Sequence, residues 1–82
     1  MPEPHVIALD LGTSSVRAMV FDLRGAAVEG LKAQAETGLR TDASGAAEMD
    51  PGRLVDLAAG CLDQVLDRAR GVPIAAVGVC TF

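Results

Sequence analysis

Residues 5–22 read His-Val-Ile-Ala-Leu-Asp-Leu-Gly-Thr-Ser-Ser-Val-Arg-Ala-Met-Val-Phe-Asp, and this stretch decides the fold. The run 5–11 is rich in Val, Ile and Leu and reads as a strand. Gly12, Thr13, Ser14 and Ser15 are turn formers, and 16–22 reads as a second strand. Leu23-Arg24-Gly25 is a further turn, where Gly supplies a positive φ. Residues 26–35 form a weaker third strand, interrupted at Gly30. Connections this short join antiparallel neighbours, because parallel strands need a crossover of a dozen or more residues. The opening is therefore a three-stranded meander over 5–36.

Residues 37–48 are polar and carry Gly38, Ser44 and Gly45, which predicts a loop with room for a short extended piece. The period then changes. Leu54, Leu57, Ala58, Cys61, Leu62, Val65, Leu66 and Ala69 recur at helical spacing, while Arg53, Asp56, Asp63, Gln64, Asp67 and Arg68 take the other face. Asp50 suits the N-cap and Pro51 the first helical position. Gly71 suits the residue after the helix and Pro73 forbids its continuation, so the helix is expected over 51–70. The run Ile74-Ala75-Ala76-Val77-Gly78-Val79-Cys80 shows no alternation, which predicts a strand over 74–82 covered on both faces. A strand reached through a helix lies parallel to an earlier one. The layout is βββαβ with a mixed sheet, an α/β segment. One amphipathic helix covers one face of such a sheet, so the segment is expected to be incomplete without further chain or a partner.

Composition narrows the function classes. Among 82 residues, 7 Lys and Arg stand against 11 Asp and Glu, a net charge of −4, and the only aromatics are Phe21 and Phe82. The acidic balance argues against a nucleic-acid partner, since both the basic footprint and the stacking rings are lacking. No apolar run approaches the roughly 18 residues of a membrane span, and residues 1–5 do not begin a secretory leader, so the expected location is cytoplasmic. Cys61 and Cys80 belong to no C-x-x-C or Cys/His cluster and read as two buried thiols.

Chemistry concentrates between Asp10 and Arg17. Gly12 lets a ligand oxygen approach the main chain, and successive amides of a tight turn can form an anion-binding concavity. Thr13, Ser14 and Ser15 add hydroxyl donors, and Arg17 can form charge-assisted bonds to phosphate. Asp10 repels phosphate and suits Mg²⁺ bridging to phosphate oxygens. The same residue types also build an ordinary hairpin, and D-x-G-T is a short pattern. Neither G-x-x-x-x-G-K nor G-x-G-x-x-G is present.

L-D-L-G-T-S-S-V-R-A-M-V-F-D followed by L-R-G resembles the phosphate-binding hairpin of the actin/Hsp70/sugar-kinase superfamily, and more narrowly that of the FGGY carbohydrate kinases. Glu48-Met49-Asp50-Pro51 before the helix and residues 74–79 resemble two further family segments, and the match runs from about His5 to Phe82. The resemblance implies a ribonuclease H-like, actin-like ATPase fold with sheet order 3-2-1-4-5. It implies ATP and Mg²⁺ as cofactors and a small-molecule carbohydrate as substrate. Asp10 would position the metal; Gly12, Thr13, Ser14 and Ser15 would contact the β- and γ-phosphates, with Arg17 beside the transferring group. Leu11 and Val16 depart from the Gln and Ser of some members. The general-base Asp, the second phosphate motif and the sugar contacts are expected downstream, so these 82 residues alone are expected to be inactive. The alternative is an ATP-switched chaperone or a filament-forming relative. A homodimer is left open.

His5 reads as a surface or hydrogen-bond-satisfied histidine, and Asp56, Asp63 and Asp67 as solvated charges. Glu48 and Asp50 read as helix-start chemistry. Met19 and Phe21 read as core, and Asp22 as a turn residue.

Overall fold

The computed structural model describes residues 3–12, 14–37, 40–41, 47–48 and 51–81. Its elements are β1 (His5–Leu11), β2 (Ser15–Phe21), β3 (Ala27–Glu36), β4 (Arg40–Thr41), β5 (Ala47–Glu48), α1 (Pro51–Arg68) and β6 (Ile74–Thr81). The main sheet has the order β3-β2-β1-β6. β1 is antiparallel to β2 and parallel to β6, and β2 is antiparallel to β3. This is the mixed sheet that the connection lengths demand. β4 and β5 form a separate two-stranded ladder within the loop. Thr13, Asp50 and Phe82 lie outside the described residues, as do Gly38, Ser44, Gly45 and the side chain of Glu48.

Register explains the core. Ile7 faces Val20, Leu9 faces Ala18 and Leu11 faces Val16, so these six share one face of the sheet. Ala33 and Ala35 extend it onto β3. α1 lays Ala58, Cys61 and Val65 against that face, and Ile7, Val16, Val20 and Val65 are each almost wholly buried. The Cys61 thiol donates to the carbonyl of Val16 at 3.6 Å, and burial pushes its pKa up.

Glycine sets three of the bends. Gly25 (φ 85°) closes the β2–β3 turn, where its N–H donates to the Asp22 carbonyl at 3.1 Å. The Asp22 carboxylate accepts from the amides of Ala26 (3.0 Å) and Arg24 (2.9 Å), the first the stronger influence, which holds its pKa below the ordinary aspartate value. Gly30 (φ 83°) coincides with the shift of register between Met19 and Phe21, a bulge. Gly71 (φ 82°) reverses the chain after α1, so the helix stops at Arg68, short of the expected 70.

Four readings need correction. Met19 and Phe21 are partners of Ala8 and Val6 on the face away from α1, and both are only half-buried. Leu66 belongs to the helical repeat but is 43 % exposed. Cys80 is exposed, unlike Cys61. β6 is bare on both faces, from Ala75 to Thr81. One geometry causes the last three. α1 packs on β2 and β3, touches only part of β1 and does not reach β6. Val77 and Val79 share the register face of Ile7 and Leu9, yet they remain 45 % and 59 % exposed. Leu66 falls on the flank of α1 opposite Gln64 and Arg68, which share a groove with β3. The segment therefore carries an apolar trench between α1 and β6 that no described residue fills.

Candidate functional site

The turn joining β1 to β2 sits where the parallel strands β1 and β6 end, the edge at which open α/β sheets bind ligands. Its closure comes from the main chain. The Gly12 N–H donates to the Ser15 carbonyl at 2.9 Å. A Cβ on Gly12 would stand 3.0 Å from that same oxygen, tighter than ordinary contact, so a side chain there would push the oxygen back by a few tenths of an ångström. This is the physical reason for glycine at position 12, and it does not involve a positive φ. Ser14 is exposed and Ser15 partly so, which leaves both hydroxyls within reach of a ligand.

Asp10 and Arg17 are register partners across the hairpin. The guanidinium of Arg17 donates to the Asp10 carboxylate at 2.9 Å, and the two side chains are 45 % and 51 % exposed for Asp10 and Arg17 respectively. The sequence foretold a metal-seeking acid and a phosphate-seeking base; the fold pairs them with each other. A pair this open contributes only about 0–1 kcal/mol to stability. The guanidinium and the carboxylate can therefore be separated at little cost.

Three neighbours of the turn were not singled out by sequence. Cys80 and Thr81 lie beside Asp10 and Leu11 in the parallel ladder. Thr37, almost fully buried, donates its N–H to the Ser14 carbonyl at 3.0 Å. Only the β-ladder register reveals these contacts, since no residue type marks them. Elsewhere the simpler readings hold. His5 Nδ1 lies 2.8 Å from the Glu3 carbonyl. Asp67 pairs with Arg70 at 3.3 Å on the open surface. Asp56 and Asp63 are exposed.

No set of three His, Cys, Asp or Glu side chains among the described residues could enclose a metal ion. Asp10 alone fits Mg²⁺, which binds through one or two carboxylates while retaining water and substrate phosphates. A turn that a Cβ would crowd, exposed hydroxyls and a movable guanidinium fit the phosphates themselves.

Comparison with known proteins gives a consistent result. The model of the N-terminal domain of the FGGY family of carbohydrate kinases matches residues 5–82. Autoinducer-2 kinase of Salmonella typhimurium is 37 % identical over 80 residues, covering 95 % of this chain and 15 % of that protein. Xylulose kinase from Rhodospirillum rubrum superposes with a TM-score of 0.74 at 31 % identity, covering 94 % of this chain and 15 % of that one. Gluconate kinase from Lactobacillus acidophilus shares the fold (TM-score 0.73, 24 % identity), covering 95 % of this chain and 15 % of that one. The chain thus spans about 15 % of the length of these relatives.

Proposed function

The chain belongs to the FGGY family of carbohydrate kinases, and from that membership we propose that the protein transfers the γ-phosphoryl group of ATP to a hydroxyl of a sugar, polyol or sugar acid. The observation that carries the proposal beyond family membership is the β1–β2 turn. It sets a carboxylate, a Cβ-free main-chain bend, exposed hydroxyls and a guanidinium within one hairpin at the ligand-binding edge of the sheet.

Each residue has a role in this reading. The β- and γ-phosphates are assigned to Gly12, Thr13, Ser14 and Ser15. Arg17 leaves Asp10 and neutralises charge on the phosphoryl group. Asp10, released from Arg17, would hold the Mg²⁺ that accompanies ATP, which would supply charge neutralisation at the phosphates. The bound MgATP supplies the transferable phosphoryl group; positioning and charge stabilisation dominate the rest of such a reaction. The general base that takes the acceptor's proton is not assigned to this segment, so the segment by itself is inactive. Relatives are named for autoinducer-2, xylulose and gluconate, so the acceptor class is a small polyhydroxylated molecule. Kinases among the relatives favour a transferase over an ATP-switched chaperone or a filament protein. No helix of the described residues is long and apolar enough to cross a membrane, and dependence on ATP fits a cytoplasmic place of action.

The test is acceptor-dependent ADP release by the full-length protein, run with MgATP against ketopentoses, gluconate, glycerol and autoinducer-2. Stimulation by at least one acceptor is expected. ADP release that no polyhydroxylated acceptor stimulates, or that an added polypeptide stimulates instead, would refute the proposal.

A further inference from the structure

Thr37 is the one buried polar residue among the described residues, and it links two elements that share no sequence motif. Its N–H donates to the Ser14 carbonyl at 3.0 Å, and its carbonyl accepts from Arg53 Nε at 3.3 Å. Arg53 lies in the first turn of α1. We propose that Arg53 is a positioning residue for the phosphate-binding turn, acting through the Thr37 main chain; the inference rests on the phosphoryl-transfer reading of that turn. The physical argument is peptide planarity. Ser14 C=O and Ser15 N–H belong to one rigid trans unit. Holding the carbonyl toward Thr37 turns the Ser15 N–H away from β3, and in the next peptide unit the Ser15 carbonyl accepts from Gly12 N–H. The orientation of the amides that face a phosphate thus depends on where Thr37 is held, and α1 helps to hold it.

The same helix supplies an internal control. Arg68, at its other end, donates to the Lys32 carbonyl of β3. Arg68 ties α1 to the main chain of β3 and Arg53 ties it to the residue that follows β3, but only the Arg53 tie continues into the turn.

The experiment compares Arg53→Met, Arg53→Lys and Arg68→Met in the full-length protein. Arg53→Met is expected to raise KM for MgATP about three- to tenfold, the effect of one lost hydrogen bond, with KM for the acceptor within about twofold. Amide exchange over residues 12–16 should accelerate in parallel. Arg53→Lys, which keeps a donor, should recover most of the loss, and Arg68→Met should shift neither quantity. Equal behaviour of Arg53→Met and Arg68→Met, or unchanged exchange at 12–16 in Arg53→Met, would overturn the proposal. Should Arg53→Met fail to fold, Arg53→Gln must show a smaller shift in the same direction; wild-type values there overturn the proposal too. Absence of any kinase turnover in the wild type would reject the functional reading alone, since the exchange comparison still decides whether Arg53 orders the turn.

Discussion

Replacing Gly12 by alanine probes the turn with the smallest perturbation available. The new Cβ would lie 3.0 Å from the Ser15 carbonyl oxygen, whereas ordinary contact begins at 3.4 Å. The oxygen must retreat by a few tenths of an ångström. It also accepts the 2.9 Å hydrogen bond from Gly12 N–H, so the retreat lengthens that bond toward its limit. Most of the bond's net contribution, about 0.5–1.5 kcal/mol, is then lost. The added methyl also occupies space beside the turn that a phosphate oxygen would approach. Together these effects predict that affinity for MgATP falls at least about tenfold, the equivalent of about 1.4 kcal/mol. The assay is steady-state kinetics of the full-length Gly12→Ala protein with both substrates varied, alongside thermal unfolding. KM for MgATP should rise while KM for the acceptor stays near wild type, and Tm should fall by only a few degrees. An unchanged KM for MgATP would show that the turn does not cradle phosphate, and an equal rise in both KM values would point to a general structural defect.

Three further outcomes follow from the same geometry. Asp10→Asn should lower kcat/KM by about 10²-fold, as expected for a residue that orients a metal, while leaving the urea midpoint nearly unchanged because its partner Arg17 is half exposed. Val65→Ala, at a fully buried position of α1, should cost about 1–3 kcal/mol in denaturant unfolding of the full-length protein. The lowered pKa of Asp22 means its amide bonds favour the folded state above the ordinary aspartate pKa. That contribution is lost as pH falls through the depressed folded value, so wild type and Asp22→Asn should converge in stability under acid conditions and diverge at neutral pH.

Much of the fold is legible in the sequence because local chemistry and tertiary structure agree. The short connections around Gly12 and Gly25 compel antiparallel pairing, and the crossover through α1 compels the parallel placement of β6. Alternation in β1 and β2 separates Ile7, Leu9, Val16, Ala18 and Val20 from Asp10 and Arg17. What periodicity cannot supply is the placement of α1 across the sheet. The repeat containing Leu66 and the apolar run of β6 show that those residues prefer burial. Neither shows that α1 sits over β2 and β3 and leaves Val77 and Val79 bare. Likewise Met19 and Phe21 read as core by residue type, and only register assigns them to the face away from the helix.

The site divides along the same line. Asp10, Gly12 and Arg17 are conspicuous by type and spacing. Their mutual arrangement, a 2.9 Å ion pair across the hairpin, requires the register. Thr37 was invisible as a site residue because it contributes main-chain atoms that any residue possesses, and Arg53 because its guanidinium reads from the sequence only as a charge on the outer face of the helix.

The claim on which the rest depends is that MgATP sits on the β1–β2 turn, and amide exchange reads this directly in the full-length protein. Saturating MgATP should slow exchange across residues 10–17 well beyond its effect on α1 residues 58–66. Turnover of ATP with exchange across 10–17 left unaltered would place the nucleotide elsewhere and contradict the account.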